Sequence, residues 1–324
     1  MHRALVINCS APYYNLGARK LSDWLDEQDY VVEYRDGDPG LFGGKPDKVF
    51  LSVIFSWHAP IAVEISYRYK TNADIECGGP GIFALAQWWQ ERTGIEAHRF
   101  LDERFDKQRG NYRMTFASRG CPVGCSFCIV PKLEGLRQNL DWEFLPAPVL
   151  CDNNLSALPI EFQEHIIRRY QEMDMRLADA NSGFEPLTFD EQTYRRWKSI
   201  LRGPWRFAFD TTSEEPQVQR MMNILRDESP KRKQVYVLIG NEPIAACYER
   251  AQKVIEWGGE PYVQPMIPLN ALSRDQLKIA YDWDWQKLKD MQRYYNRHLW
   301  RYFPLSQYSN RKKVSPMFSN LELT

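Results

Sequence analysis

Three cysteines on one short stretch carry the clearest chemical signal in this chain. Cys121, Cys125 and Cys128 follow a C-x3-C-x2-C spacing, which seven cysteines scattered over 324 residues are not expected to produce by chance. Three thiolates on one loop can bind three irons of a [4Fe–4S] cluster and leave the fourth iron open to another ligand. A structural zinc ion needs four protein ligands, so a non-enzymatic zinc module would require a distant fourth cysteine. Three unrelated buried thiols are the remaining interpretation.

An apolar strand precedes this cysteine loop, and the aromatic Phe127 stands before its last cysteine. In these features the chain resembles the radical S-adenosylmethionine (SAM) enzymes. The resemblance implies that the open iron binds the amino and carboxylate groups of SAM, with Phe127 near the adenine. It also implies a one-electron donor of the flavodoxin or ferredoxin type. SAM would then be cleaved reductively to a 5′-deoxyadenosyl radical, which abstracts hydrogen from a substrate that the sequence does not identify.

Strand and helix patterns alternate through residues 112–270, which predicts parallel strands with helical crossovers. The predicted strands are 113–118, 148–152, 176–180, 206–210, 234–240 and 261–265. The predicted helices are 160–173, 190–201 with Thr188 as N-cap, 216–226 and 244–257. Six such units match the partial (β/α)6, TIM-like barrel of the radical SAM core. The predicted fold class is therefore α/β.

The loops after the carboxyl ends of parallel strands form the site in such barrels. Besides the cysteines, this rule selects Asp152, Asn153 and Asn154 after the second strand, Ser182 after the third, Asp210 after the fourth, Gly240 after the fifth and Met266 after the sixth. The resemblance implies that the second-strand residues meet the SAM amino group and that Asp210 bonds the ribose. It implies backbone approach to the adenosine at Gly240 and backbone contacts to adenine at Met266. A purely structural role is the alternative for each, because such residues also form turns.

Residues 1–105 read as a small doubly wound, Rossmann-like domain, with strands at 4–8, 30–34, 49–54 and near Ile75. This half resembles the cobalamin-binding-like domain that precedes the barrel in many radical SAM enzymes. Its first loop, residues 12–17, keeps only Gly17 of the family's D-x-H-x-x-G motif, whereas Ser52 and Gly78 match later elements. Cobalamin held without a histidine ligand stays open but is not favoured. A cobalamin-dependent radical methyltransferase is accordingly an alternative function.

A weaker resemblance is to tRNA methylthiotransferases, whose N-terminal domain carries three cysteines. Here Cys9 and Cys77 lie at strand ends without a third, so ordinary buried cysteines are expected. Residues 293–313 contain six Lys or Arg, no acid and several aromatics, which could bind RNA. The favoured interpretation is a helix whose aromatics pack on the domain below, because the whole chain has no net charge.

The sequence also predicts the domain boundaries and the cellular compartment. The predicted domains are 1–105, a radical SAM barrel at 106–271, and a helical C-terminal extension with a loose tail at 272–324. No stretch approaches the ~20 apolar residues that a membrane span needs. The chain opens without a secretory signal pattern, which predicts a cytoplasmic protein. A reducing compartment also suits cysteines that bind metal.

Overall fold

The computed structural model describes residues 2–40, 45–98 and 108–308. The N-terminal part is a five-stranded sheet in which every neighbouring pair is parallel, in the order β2-β1-β3-β4-β5. Its strands are β1 (Arg3–Asn8), β2 (Val31–Asp36), β3 (Lys48–Ser52), β4 (Asp74–Gly78) and β5 (Ala97–His98). The predicted doubly wound sheet is thus present, with a fifth strand too short to be recognised in the sequence. The strand order reverses between β1 and β3, where a crevice opens at the carboxyl edge of such sheets.

Helices cover both faces of this sheet. They are α1 (Leu16–Glu27), α2 (Ala59–Tyr69), α3 (Pro80–Phe83) and α4 (Ala86–Thr93). Successive β1 residues enter two different core clusters, Ala4 and Val6 in one and Leu5 and Ile7 in the other. A strand buried on both sides reads as a continuous apolar run, which explains why β1 was recognisable from its sequence.

The second half contains the six expected parallel strands and two additional antiparallel ones. They are β6 (Met114–Thr115), β7 (Ser118–Arg119), β8 (Asn139–Leu140), β9 (Val149–Leu150), β10 (Asp179–Ala180), β11 (Trp205–Phe209), β12 (Lys233–Ile239) and β13 (Glu260–Pro265). The parallel strands form two three-stranded sheets, β6-β9-β10 and β11-β12-β13, whereas β7 and β8 pair antiparallel. Both parallel sheets keep the order of the chain, as βα units require. Closure into a partial barrel stays a prediction.

The strand predicted at 113–118 is interrupted, and side-chain hydrogen bonding explains the break. The backbone N–H of Ala117 donates to Asp152 Oδ1 at 2.8 Å instead of joining a strand ladder. Beyond this point the chain turns away from β9, and Ser118 pairs with Leu140. The cysteine loop therefore starts from a small hairpin-like pair and not directly from the parallel sheet.

Few main-chain contacts join the two three-stranded sheets, and no strand ladder links β10 to β11 within the described residues. The N–H of Phe184 donates to the carbonyl of Arg206 at 2.8 Å. The Arg206 guanidinium forms two 2.8 Å hydrogen bonds with the Asp179 carboxylate. A Cβ atom at Gly183, whose φ is +80°, would overlap the Arg206 carbonyl oxygen. These contacts define a seam between the two sheets.

The helices of this half are α5 (Val130–Leu133), α6 (Ile160–Glu172), α7 (Glu191–Lys198), α8 (Glu215–Ile224), α9 (Ile244–Glu256) and α10 (Trp285–Asn296). Helix α7 starts later than predicted, because the Asp190 side chain accepts a 2.7 Å hydrogen bond from the N–H of Thr193. Asp190, and not Thr188, is therefore the N-cap.

Aromatic side chains of α10 belong to the same hydrophobic core as β11, β12 and β13. Tyr294 and Tyr295 are buried in it, and Trp300, Phe303 and Tyr308 pack against it. The packing interpretation therefore holds for these five rings, whereas Tyr302 is 79% exposed. Residues 309–313 lie outside the described residues. No helix in the described ranges is both long and apolar enough to cross a membrane.

Candidate functional site

The three cysteines of the loop are half-buried, and all three are free thiols. The loop curls tightly, since the N–H of Cys128 donates to the Cys125 carbonyl at 3.0 Å. Two N–H groups point at sulfur: the N–H of Val130 lies 3.4 Å from Cys128 Sγ, and Asn154 Nδ2 lies 3.9 Å from Cys121 Sγ. Hydrogen bonds of this kind to ligating sulfurs tune iron–sulfur sites. The donor set thus fits a thiolate-ligated cluster.

The cysteine side chains lie near one another. Burial, together with the neighbouring Cys128, Asp210 and Cys121, raises the pKa of the Cys125 thiol to about 11. Within residues 2–40, 45–98 and 108–308, no three His, Cys, Asp or Glu side chains converge tightly enough to hold a single metal ion.

Glu134 anchors the cysteine loop to the second strand. Its Oε2 accepts hydrogen bonds from the N–H of Gly120 at 2.8 Å and from Asn153 Nδ2 at 2.6 Å. Its Oε1 accepts from Arg119 Nη1 at 3.2 Å. Sequence reasoning missed this residue, because a single Glu after the last cysteine belongs to no recognisable spacing.

The loop is also held where the chain segment that follows it, residues 135–137, packs closely against Gly120 and Cys121. Gly120 has a φ of +88°, and a Cβ atom there would overlap the carbonyl oxygen of Arg137. The N–H of Cys121 donates to the Gly135 carbonyl at 3.3 Å. Only glycine accommodates both the positive φ and the contact, so the loop entrance depends on it.

Asp152 does not face a ligand, contrary to the predicted contact with the SAM amino group. The residue is fully buried, and its Oδ1 and Oδ2 accept hydrogen bonds from the N–H of Ala117 and the hydroxyl of Ser118. Burial raises its pKa to about 6, although these hydrogen bonds oppose the shift. Asp152 is therefore a positioning residue for the chain segment that leads into the cysteine loop.

Of the other predicted site residues after the second and third strands, some are buried and some line a cavity. Asn153 and Ser182 line the cavity. Asn154 is buried, and its Oδ1 accepts a 3.1 Å hydrogen bond from the N–H of Ala157 while its amide points toward Cys121. The structure thus brings all three close to the cysteine loop or to the cavity beside it.

Asp210, at the carboxyl end of β11, presents an unused acceptor. Its carboxylate oxygens accept no hydrogen bond from any residue that the structure describes, whereas its N–H donates to Glu214 at 2.7 Å. Burial raises its pKa to about 7, with further contributions from Glu214 and Glu185, and Arg250 opposes them. A buried carboxyl with unfilled acceptors near the cysteines is suited to bind a hydroxyl-bearing ligand.

The three remaining predicted residues are Gly240, Met266 and Phe127. Gly240 has a φ of +90°, which accounts for glycine at the end of β12. The Met266 N–H donates to the Ile239 carbonyl at 2.9 Å, and the Met266 carbonyl accepts from the N–H of Lys278 at 2.8 Å, so backbone contacts to adenine would compete with these hydrogen bonds. The following residues, beginning with Ile267, reach the cavity instead. Phe127 is half-buried on the loop.

A cavity of about 450 Å³ lies between the N-terminal sheet and the β6-β9-β10 sheet. Its N-terminal wall includes Leu16, Ser52, Phe55 and Trp57, and its opposite wall includes Met114, Phe116, Ile129, Val130, Asn153, Ser182, Pro268 and Leu269. The charged residues in its lining are Arg119 and Glu134, which pair with each other. The cavity therefore suits a ligand that is largely apolar and lacks a strong net charge.

Protein side chains fill the crevice between β1 and β3 beneath this cavity. Asn15 Nδ2 donates to Ser52 Oγ at 2.9 Å and to Asn8 Oδ1 at 3.2 Å, while Asn8 Nδ2 donates to Asp36 at 2.8 Å. Gly79 serves packing, because a Cβ atom there would overlap the Val53 carbonyl oxygen. The loop 12–17 contains no histidine, so it offers no imidazole to a cobalt ion.

No protein-family model matches the sequence, and no curated protein matches it. The fold, however, is similar to that of a solved radical SAM methyltransferase, TsrM from Kitasatospora setae, with cobalamin and a [4Fe–4S] cluster bound. The similarity has a TM-score of 0.58 at 15% identity and covers 83% of this chain and 77% of that one. This chain has a radical SAM fold. A second solved structure, the cobalamin-dependent SAM radical enzyme OxsB, gives a TM-score of 0.46 at 14% identity over 92% of this chain and 56% of that one.

The four cysteines outside the loop of this radical SAM fold are buried. Burial raises the pKa of Cys9 to about 12 and that of Cys77 well above its usual range. Cys151 lines the cavity, and Cys247 lies 3.2 Å from the buried guanidinium of Arg250. These surroundings are those of ordinary buried thiols, as expected for Cys9 and Cys77.

Proposed function

We propose that this chain is a radical SAM enzyme that holds one [4Fe–4S] cluster on Cys121, Cys125 and Cys128. The observation that carries the proposal is the set of three neighbouring half-buried thiols on one loop, beside the unused carboxylate of Asp210. The radical SAM fold supports it.

The residues around the cysteines have separable roles in this proposal. When bound and reduced, the cluster supplies one electron to SAM, which breaks into methionine and a 5′-deoxyadenosyl radical. Asn154 and the N–H of Val130 donate toward the thiolates, and Glu134 holds the loop. Asp210 accepts hydrogen bonds from the ribose hydroxyls. The apolar cavity walls exclude water from the reacting centre, and the substrate loses hydrogen there.

Anaerobic reconstitution and product analysis test the proposal. We expect about four irons per chain, and 5′-deoxyadenosine when the dithionite-reduced protein meets SAM. Cys125→Ala should lose both properties, whereas the control Cys9→Ala, a buried cysteine outside the loop, should keep them. A Cys125→Ala protein that still cleaves SAM, or one zinc and no iron in protein purified without oxygen, would contradict the proposal.

Cobalamin-dependent methyl transfer is the second candidate, and the interdomain cavity favours it. The cavity lies at the carboxyl edge of the N-terminal parallel sheet, where such sheets bind ligands. The fold similarity is to a methyltransferase with cobalamin bound. With no histidine in the loop 12–17, that loop would leave cobalt without a protein imidazole. A visible spectrum of anaerobic hydroxocobalamin that stays unchanged on adding the protein would remove this candidate.

The proposed setting is a reducing cytoplasm with a one-electron donor protein as partner. All seven cysteines lie in the described ranges and none forms a disulfide, as a reducing compartment favours. RNA modification is not proposed, because the aromatics available for stacking in 293–308 pack largely on the core.

A further inference from the structure

A buried arginine joins the carboxyl ends of two neighbouring parallel strands. Arg250, on α9, is 1% exposed. Its guanidinium donates to the carbonyl of Phe209, the last residue of β11, and at 2.8 Å to the carbonyl of Leu238, near the end of β12. Because one planar side chain binds both carbonyls, it fixes the two strand ends relative to each other.

Two side chains after β12 extend this link to the residues that follow β11. Arg250 Nη2 donates to Asn241 Oδ1 at 3.4 Å, and Asn241 Nδ2 donates to the Asp210 carbonyl at 2.5 Å. Arg250 Nε forms a 3.0 Å ion pair with Glu242 Oε2, and that oxygen accepts the N–H of Thr212 at 3.1 Å. The guanidinium is thus connected to the main chain before, at and after Asp210.

These contacts leave Asp210 with a fixed main chain and a free carboxylate. Its carbonyl accepts from Asn241, and its N–H donates to Glu214 at 2.7 Å. None of the described residues donates a hydrogen bond to its carboxylate oxygens. An acceptor that is already held in place binds a ligand hydroxyl more tightly than a mobile one, because less conformational entropy is lost on binding.

We propose that Arg250 is a positioning residue for SAM binding, which holds the Asp210 carboxylate in place through Phe209, Asn241 and Glu242. The inference rests on the proposed function, in which Asp210 accepts hydrogen bonds from the ribose hydroxyls. Arg250 is buried and does not line the cavity, so it acts on the ligand only through Asp210. The competing explanation is a purely structural role, in which the guanidinium stabilises the strand ends and nothing more.

A double-mutant cycle on SAM affinity separates the two roles. Arg250→Lys keeps the positive charge but loses the planar group that binds both carbonyls, so it loosens the strand ends without removing a charge. In the reconstituted protein, this substitution should weaken equilibrium binding of SAM about fivefold. In an Asp210→Ala background it should change the affinity by less than about twofold, because the acceptor that Arg250 positions is already gone.

Asn241→Ala gives a second, milder version of the test. Asn241 is half-buried, and its replacement removes the hydrogen bond to the Asp210 carbonyl while Arg250 is retained. SAM affinity should fall about threefold, again only when the Asp210 carboxylate is present. If Arg250→Lys does not fold, this variant decides the inference alone.

Matched controls carry the same changes away from Asp210. Arg232, just before β12, binds two main-chain carbonyls and one carboxylate at the amino end of the sheet. Asn296 binds the main chain of Val263 in the middle of β13. Arg232→Lys and Asn296→Ala should lower the free energy of unfolding in urea, but they should leave SAM affinity and iron content unchanged.

The outcomes separate this inference from the proposed function. Equal losses of SAM affinity with and without the Asp210 carboxylate would overturn the inference, because the substitutions would then act on the fold in general. Unchanged affinity in Arg250→Lys and Asn241→Ala, or the same loss in the two controls, would overturn it as well. Unaltered protein that binds neither iron nor SAM, or an Asp210→Ala protein with full SAM affinity, would overturn the proposed role of Asp210 and this inference with it.

Discussion

Three carboxylates near the cysteines differ in what they accept, and their surroundings explain the difference. Asp152 has both oxygens occupied by protein donors, and Glu134 receives three N–H groups. Asp210 receives none from the described residues. The first two therefore hold the cysteine loop in place, and the third is the acceptor available to a ligand. Residue type alone does not distinguish these roles.

The raised pKa of Asp152 predicts a pH-dependent stability difference. A carboxyl whose pKa moves from 3.8 to about 6 on folding stabilises the protein below pH 4 and loses that contribution as the pH rises toward 6. Asp152→Asn keeps an acceptor for Ala117 and a partner for Ser118 without a charge. Its free energy of unfolding relative to wild type should therefore rise by on the order of 3 kcal/mol between pH 4 and pH 7. Urea titrations across this range measure it; a pH-independent difference would contradict the prediction.

The unused acceptor of Asp210 predicts a specific loss of SAM affinity. Removing a charged acceptor of ligand hydroxyls typically costs about 1.5–3 kcal/mol, so Asp210→Ala should weaken SAM binding at least about tenfold. Iron content should stay unchanged, because Asp210 is not a predicted cluster ligand. Equilibrium binding of SAM to the reconstituted protein provides the measurement. Asp227→Ala, an exposed residue beyond α8, is the control, and equal affinity in the two variants would exclude the ribose role.

At the scale of elements, the cysteine loop depends on β7 and β8 more than on the parallel sheet. These two-residue strands and the close approach at Gly120 set where the loop begins and ends. Neither strand has an apolar periodicity. β7 begins at the end of the strand predicted at 113–118, and β8 lies where no strand or helix was predicted. Backbone bonds diverted to side chains, such as Ala117 to Asp152, leave no pattern in the sequence.

Two glycines with nearly equal backbone angles allow the close approach to be tested. Gly120 and Gly135 have φ values of +88° and +87°, but only Gly120 contacts the Arg137 carbonyl, whereas nothing lies within 4 Å of a Cβ at Gly135. Gly135→Ala should cost about 1–2 kcal/mol from the left-handed conformation alone. Gly120→Ala should lower thermal stability further and reduce the iron bound on reconstitution. Equal effects of the two substitutions would show that the contact with Arg137 is unimportant.

The sequence predicted the elements whose signals are local. The helices predicted at 160–173, 190–201, 216–226 and 244–257 agree with α6 to α9 within a few residues, because apolar periodicity and caps mark helices. The cysteine spacing and the polar strand ends identified residues that do gather at one edge. The hydrogen-bond partners of the Asp152 side chain and of the Met266 backbone could not be predicted, because they lie on segments distant in sequence.

At the scale of the whole molecule, the two halves have separate hydrophobic cores. Trp89 belongs to the N-terminal core under α2 and α4, and Trp197 belongs to the core that the barrel strands share with α10. Between the halves lie the cavity and polar contacts such as Tyr112 to Asp23 at 2.5 Å. Independent cores predict that each half unfolds as its own unit.

A matched pair of tryptophan substitutions tests this independence. Both side chains are fully buried, so Trp89→Ala and Trp197→Ala should each cost about 3–5 kcal/mol. Trp89→Ala should lower only the denaturant midpoint of the N-terminal half, and Trp197→Ala only that of the barrel half. Hydrogen exchange assigns each transition to its half. A single transition shifted by both substitutions would show that the halves unfold together.

The seam between β10 and β11 has a mechanical consequence for the two three-stranded sheets that it separates. The cysteine loop is tied by hydrogen bonds to Asp152 and Asn153, which follow β9 on one side of the seam, and Asp210 follows β11 on the other side. The two sheets share a hydrophobic core in which Phe184 packs on Trp205 and Phe207, and the Arg206–Asp179 ion pair and a few main-chain contacts also join them. A molecule that is bound at one end near the cysteines and at the other end by Asp210 would connect the two sheets. Its binding would stiffen the connection between the two sheets, and its cleavage would remove that added connection.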